Sequence, residues 1–383
     1  MKEVTIVSER IFLSPPHMNG REINFINEAF DTNWIAPFGP NLTGFENDMS
    51  KYLGINKSLA LSSGTAAMHL ALMYVGVQKD DVVFCSDLTF AGSCNPAVYI
   101  GAKLVFIDSD YETFNMSPVA LEKAFEKYEK LGKLPKAVII VDLYGNPANF
   151  DELLPICESY GVTVIEDAAE ALGAEYKGKK CGTFGKINIL SFNGNKVITT
   201  SGGGMACSED TQAIEKMHFW ANQSKEPVNY YLHKEVGYNY RMSNISAGIG
   251  RGQMLTLDER VSQRRFVNEY YKKELGDLPI KFSPETVGAV SSCWLSVITI
   301  DEGISVSPDD VIEALEKENI ESRRVWNPMH CHPVFADCDY INSGEIDVGI
   351  DVFNRGVCLP SGSSLSEEEL QHIVKVVRAV FGK

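Results

Sequence analysis

The sequence predicts an α/β protein: a large domain on a mostly parallel sheet, followed by a smaller α+β domain. Three observations carry that prediction. Between Lys57 and about Gly204, short apolar runs with little alternation are separated by helix-like stretches, the pattern of strands buried on both faces. After about Leu255 that pattern gives way to a long charged helix and to helices opened by capping boxes. The length of 383 residues also exceeds what one ordinary core requires. The boundary is therefore placed at 255/256, giving units 1–255 and 256–383.

The elements follow in order. SLALSS (58–63) reads as a strand and Thr65 to Val75 as a helix. DVVFCSD (81–87) is a second strand, a helix runs through Tyr99, and KLVFID (103–108) is a third strand. Ser117 and Pro118 open a charged amphipathic helix in the favoured cap-then-proline order. KAVIIVDLYG (136–145), a helix over 151–160, VTVIED (162–167) and INILSF (187–192) continue the alternation. In the second unit come a helix over 256–275, weaker strand signals near 293–300, and the boxes Ser307-x-x-Asp310 and Ser366-x-x-Glu369.

Composition narrows the function. Lys+Arg 35 against Asp+Glu 51 leaves 35 − 51 = −16, which opposes a nucleic-acid or anionic-membrane surface. One anionic small ligand is still compatible, because a helix N-terminus suffices to hold it. No apolar run approaches 18 residues and the first sixteen lack an apolar core, so neither a membrane span nor a secretion signal is expected. Nine cysteines without CxxC pairs read as free thiols in a reducing, cytoplasmic setting. His330, Cys331, His332 and Cys338 match no zinc spacing, so no metal is expected.

Sheets of this kind bind ligands beyond the carboxyl ends of their strands. Four such ends carry chemistry. In Ser62-Ser63-Gly64-Thr65 the small side chains would let an anion reach the first helical N–H groups, though an ordinary βα turn looks the same. Asp167 closes VTVIED beside Glu166, so at most one of the pair points into the crevice. There it either caps a helix or keeps a ring nitrogen protonated. Phe90, just past a strand, is either core or a platform for a planar ring. Lys196 sits in a polar turn without neighbouring charge, before TTSGGG. Most loop lysines are solvated, yet a nucleophilic lysine needs such a sheltered place. GxGxxG, GxxxxGK[ST] and GxSxG are all absent, which disfavours Rossmann, P-loop and α/β-hydrolase enzymes.

In order and separation, SSGTAA (62–67), EDAAEALGA (166–174), SFNGNKVITTSGGGM (191–205), GYNYRMSN (237–244) and WNPMH (326–330) resemble the DegT/DnrJ family of pyridoxal 5'-phosphate (PLP)-dependent sugar aminotransferases. The resemblance runs from LSPP (13–16) to LPSGSSLSEEE (359–369) and implies the fold-type I aminotransferase architecture. It also implies PLP as cofactor, with Lys196 as the lysine that carries it and Asp167 as the partner of its ring nitrogen. Phe90 would stack on the ring, and Gly64, Thr65 and Ser191 would surround the phosphate. Asn239 matches an asparagine that reaches the phosphate from a second subunit, which implies a homodimer with active sites at the interface.

Two residues depart from the family pattern: Glu170 stands where many members have Gln, and Asn193 where many have His. A carboxylate at 170 beside the cofactor's phenolate would have its pKa raised or be turned away. With LSPPHM (13–18) and NWIAPFGP (33–40), the chain most resembles the 4-aminotransferases of the UDP-N-acetylbacillosamine pathway. That implies transfer of an amino group from L-glutamate to C4 of UDP-2-acetamido-2,6-dideoxy-4-keto-hexose. Perosamine and legionaminic-pathway enzymes are near neighbours, and a non-enzymatic regulator on this scaffold is a further reading. Lys196 argues against the sugar 3-dehydratase branch, which carries His there. Candidates for the sugar nucleotide are His17, Asn19, Arg324, Trp326 and His330: Arg for a pyrophosphate, Trp and His for base or sugar.

Overall fold

The computed structural model describes residues 10–383. The expectation that no secretion signal opens the chain concerns residues 1–9 in part and to that extent lies outside the described residues. The larger sheet has eight strands. Their order across it is Lys57–Leu61, Gly204–Ser208, Ile187–Ser191, Thr163–Asp167, Ala137–Val141, Val82–Ser86, Lys103–Ile107 and Asp339–Ile341. Gly204–Ser208 runs antiparallel to both neighbours, and the other seven strands share one direction. Six of the eight coincide with the runs read from the sequence. The other two carry no such signal: Gly204–Ser208 grows straight out of a glycine run, and Asp339–Ile341 is three half-buried residues.

Helices cover both faces, as continuous apolar strands require. Val83, Cys85, Ile139 and Ile189 pack under the helices Gly64–Tyr74, Ala91–Ile100 and Thr211–Ala221. The alternate residues Phe84, Val138, Ile140 and Val164 pack against Pro118–Lys130 and Phe150–Ser159 on the other side. Each fully buried Leu, Val, Ile or Phe contributes about 1.5–3 kcal/mol, so both layers are stabilising. Ser117 caps its helix by accepting from the Ala120 amide, with Pro118 in the first turn.

Residues beyond Leu255 form a second, antiparallel sheet in the order Ile280–Phe282, Ser296–Ile300, Gly356–Leu359, Arg323–Arg324. The helices Leu257–Leu275, Pro308–Lys317 and Glu367–Val380 supply buried apolar residues to its core. Both capping boxes form. We propose the domain boundary at 255/256 because every strand of this sheet lies after it, although Asp339–Ile341 crosses back to the edge of the larger one. Arg264 ties the two parts together from a fully buried position. Its guanidinium donates to the carbonyls of Trp294, Ser361 and Lys196 and to Ser14 Oγ. Among the described residues no helix is long and apolar enough to cross a membrane.

Candidate active site

The carboxyl ends of the parallel strands enclose a cavity of ≈ 370 Å³. Gly64, Thr65, Phe90, Asp167, Glu170, Ser191 and Lys196, picked out from separate stretches of sequence, all line it. The helix Gly64–Tyr74 points its N-terminus into the cavity, and Ser63 caps it by accepting from the Ala66 amide. Strand Gly204–Ser208 passes tight against that helix start. A Cβ on Gly204 would sit 2.2 Å from the Gly64 nitrogen, so only glycine fits there. Phe90 precedes the helix Ala91–Ile100 and keeps 55% of its surface exposed, an open aromatic face rather than core.

Of the acidic pair closing strand Thr163–Asp167, Asp167 enters the cavity and Glu166 is not among the residues that line it. Asp167 accepts from Ser93 Oγ at 2.6 Å and from the Ala169 amide at 3.1 Å. Burial lifts its carboxyl above the ordinary range, while those donors and the Lys196 charge pull it back.

Lys196 lies in a loop folded on itself by bonds from Phe192 N to Gly203 O and from Thr200 N to Phe192 O. The sequence expects no charge beside it, but the fold brings Glu170 Oε1 to 3.5 Å. Trp294 lies beneath, its ring centroid 3.9 Å from the Lys196 ammonium, and its Nε1 donates to Asn195 O at 2.6 Å. Glu170 is buried and is held by the Tyr144 amide, which donates to Oε2 at 2.7 Å. Burial raises its pKa, with Lys196 and that amide opposing. A carboxylate at 170 is thus neither turned away nor solvated.

Ser93, Trp294 and Tyr144 were not singled out from the sequence. Ser93 had one available signal, its place three residues past Phe90 at the start of a helix. Trp294 and Tyr144 reach the site from distant segments with none.

A second cavity of ≈ 610 Å³ adjoins the first, and Asn195, Trp294 and Trp326 line both. Arg324 lines it too, but its guanidinium is committed to Asp309 at 2.9 and 2.6 Å; Arg323 also reaches this cavity.

The remaining candidates stand apart from both cavities. Asn19 donates to Gly252 O and Thr256 Oγ1 and so pins the N-terminal segment to a helix end. His17 Nδ1 meets Ser363 Oγ at 3.1 Å. His330 lies between Asp87 Oδ2 at 2.7 Å and Asp347 Oδ2 at 3.3 Å, stacked on Tyr340 at 3.9 Å. Burial alone would lower the His330 pKa, but its bonds to Asp347 and Asp87 push it up to about 9, so it is charged at neutral pH. Asn239 is exposed on the surface.

A mostly parallel sheet whose strand ends gather a lysine, a buried carboxylate, an open aromatic face and a helix N-terminus is the arrangement of a fold-type I PLP aminotransferase. Residues 16–378 match the model of the DegT/DnrJ/EryC1/StrS aminotransferase family. The chain belongs to that family: it is a sugar aminotransferase with PLP as its cofactor. It is 50% identical over 375 residues to EpsN of Bacillus subtilis (strain 168), whose name carries the words pyridoxal phosphate-dependent aminotransferase. That match covers 97% of this chain and 96% of EpsN. It is 34% identical over 374 residues to the GDP-perosamine synthase of Caulobacter vibrioides, covering 97% and 98% of the two chains. A DegT DnrJ EryC1 StrS aminotransferase from Brucella abortus has a crystal structure with TM-score 0.88 and 27% identity, covering 95% and 96%. The lining residues fit PLP, because an amine, a carboxylate, an aromatic face and anion-binding amides share one cavity.

Proposed function

We propose that this enzyme moves an amino group from L-glutamate to C4 of a nucleotide-linked 4-keto-6-deoxy sugar. The substrate we assign is UDP-2-acetamido-2,6-dideoxy-4-keto-hexose. One observation carries the chemistry: Lys196, Asp167 and the N-terminus of helix Gly64–Tyr74 converge on one cavity at the strand ends. A second, larger cavity beside it offers room for a substrate longer than an amino acid.

Bound PLP supplies an electron sink that lets an amino group pass from an amino acid to a ketone. The remaining work falls to the chain's own residues. Lys196 Nζ would hold the cofactor, and its free amine would take the proton from the amino acid's Cα and give it back on the product side as general acid/base. Asp167, fixed by Ser93 and Ala169, holds a proton at the ring nitrogen. Gly64, Thr65 and the Ser191 hydroxyl bind the phosphate, aided by the helix dipole. Phe90 provides the flat contact for the ring and, with Trp326 at 5.4 Å, narrows the access of water. The same steps in reverse deliver the amine to the sugar.

The homodimer belongs to this proposal. Phe30, Trp34, Ile35, Phe38 and Tyr231 are large apolar residues left exposed, and Asn239 lies on the surface, free to reach a neighbour's site. Nine free thiols support a reducing, cytoplasmic setting. GDP-perosamine synthases among the relatives favour a second reading, a GDP-linked keto sugar of the same class.

The test is the visible spectrum of PLP-loaded protein before and after L-glutamate. The cofactor–lysine band should vanish and return with the UDP-linked keto sugar. Recovery only with a GDP-linked sugar selects the second reading, and no band in folded protein overturns the role of Lys196.

A further inference from the structure

Behind the active site, away from its cavity, lies an acidic group that the aminotransferase chemistry does not use. Asp142, Glu166 and Cys181 are all buried and offer ligand atoms within 4.8 Å of one another. Among the described residues no Lys, Arg or His forms an ion pair with Asp142 or Glu166. The two carboxylates are satisfied very differently. Glu166 accepts from the Gly182 amide at 2.6 Å through Oε1 and from the Phe184 amide at 2.7 Å through Oε2. Asp142 accepts from the Ala148 amide at 2.9 Å through Oδ1, but its Oδ2 is buried with no donor to accept from. What faces it is another acceptor, the Glu166 carboxylate, with the Cys181 thiol beside the pair as a weak donor.

Two facing carboxylates without a counter-ion cannot both be charged in the interior. Either a proton or a cation must fill the gap. The backbone amides choose between them. They stabilise the charged form of Glu166 with one donor on each oxygen, which leaves a lone pair to accept a further hydrogen, whereas a metal would find three side-chain ligands here and a closed structural site uses four. On Asp142 Oδ2, by contrast, a proton turns the unpartnered oxygen into a donor aimed at Glu166 and satisfies every polar atom of the pair.

We propose that Asp142 and Glu166 form a buried proton site, with one proton held on Asp142 Oδ2 and shared with Glu166, and with no metal bound. Burial and the Glu166 charge both push the Asp142 carboxyl well up, in agreement with that assignment. The titratable groups facing the pair are the thiols of Cys181 and, toward Glu166 at longer range, Cys207; burial keeps both thiols neutral. The pair staples the turn Gly182–Gly185 to the strand that ends in Asp167. The Asp142 amide donates to Asp167 O at 3.1 Å on the same strand end.

The experiment compares urea unfolding of the full-length protein, its Asp142→Asn variant and its Glu166→Gln variant from pH 5 to 8. Folded wild type keeps a proton that the unfolded chain has lost, so its stability falls as pH rises. The carboxamide of the Asp142→Asn variant carries no such titrating proton. Its folding equilibrium should therefore gain on wild type by about tenfold per pH unit. Glu166→Gln should flatten the same slope, which keeps the test open if one variant folds poorly. Parallel curves for wild type and both variants would overturn the proposal. So would one equivalent of a divalent metal per chain, present in wild type and absent from Asp142→Asn.

Discussion

Lys196 and His330 are both cations beside carboxylates, and the fold treats them in opposite ways. His330 has two carboxylates, one of them Asp87 at 2.7 Å, and a tyrosine stacked on its ring. Lys196 has one carboxylate at 3.5 Å and the face of Trp294, and it borders an open cavity. The first is fixed by three neighbours at once. The second keeps donors to spare and space to move them, which suits the bond-forming role proposed for it. Looseness at a charged group, when a cavity lies beside it, marks function better than the charge itself.

The sharpest way to break the contrast is Lys196→Ala. Turnover should disappear while the protein still folds, with a lower unfolding temperature because the buried Glu170 loses its partner. Substantial residual amino transfer, followed as 2-oxoglutarate release, would place the reacting amine elsewhere.

His330→Gln should do the reverse, sparing kcat but costing about 3 kcal/mol in urea unfolding at neutral pH, since it strands the buried Asp87. The pH dependence sharpens this. A His330 pKa raised to about 9 makes its contribution complete below about pH 6.5 and lost as pH rises through 9. Unfolding midpoints between pH 6 and 10 should therefore fall for wild type and stay flatter for the variant.

Glu170→Gln is the smallest change, because an amide oxygen can still accept from Tyr144. Activity should stay within about tenfold of wild type, while the acid limb of the kcat–pH profile moves. An unaltered pH profile would remove Glu170 from the proton chemistry.

The parallel sheet was legible because buried strands announce themselves as apolar runs, and the helix starts because their caps are local. Gly204–Ser208 escaped that reading, since a five-residue strand issuing from glycines has no apolar flank to mark it. At the site, the cavity residues that end strands or open helices could be located from their own neighbours. Trp294 could not, because it reaches Lys196 across 98 positions of chain and its segment reads as an ordinary aromatic before a strand. Distance along the chain also explains Glu170, whose closeness to Lys196 exists only after folding. His17, Asn19 and His330 show the converse limit. Their residue types suit sugar-nucleotide recognition, yet the sequence could not show that each also bonds within the chain, to Ser363, Gly252 and Asp87 in turn.

Arg264 carries one more consequence. Its charge is met by the carbonyl oxygens of three separate segments, one of them the loop of Lys196, and by a serine hydroxyl from the N-terminal stretch. Burial lowers its pKa to about 10, with the nearby Arg260 charge adding to the effect, so it stays charged at neutral pH. A guanidinium neutralised by dipoles cannot lose one partner cheaply, because the others then face an undersatisfied ion. The loop of Lys196 and the second sheet are thereby coupled through one ion, so fraying at the loop weakens what holds the far side.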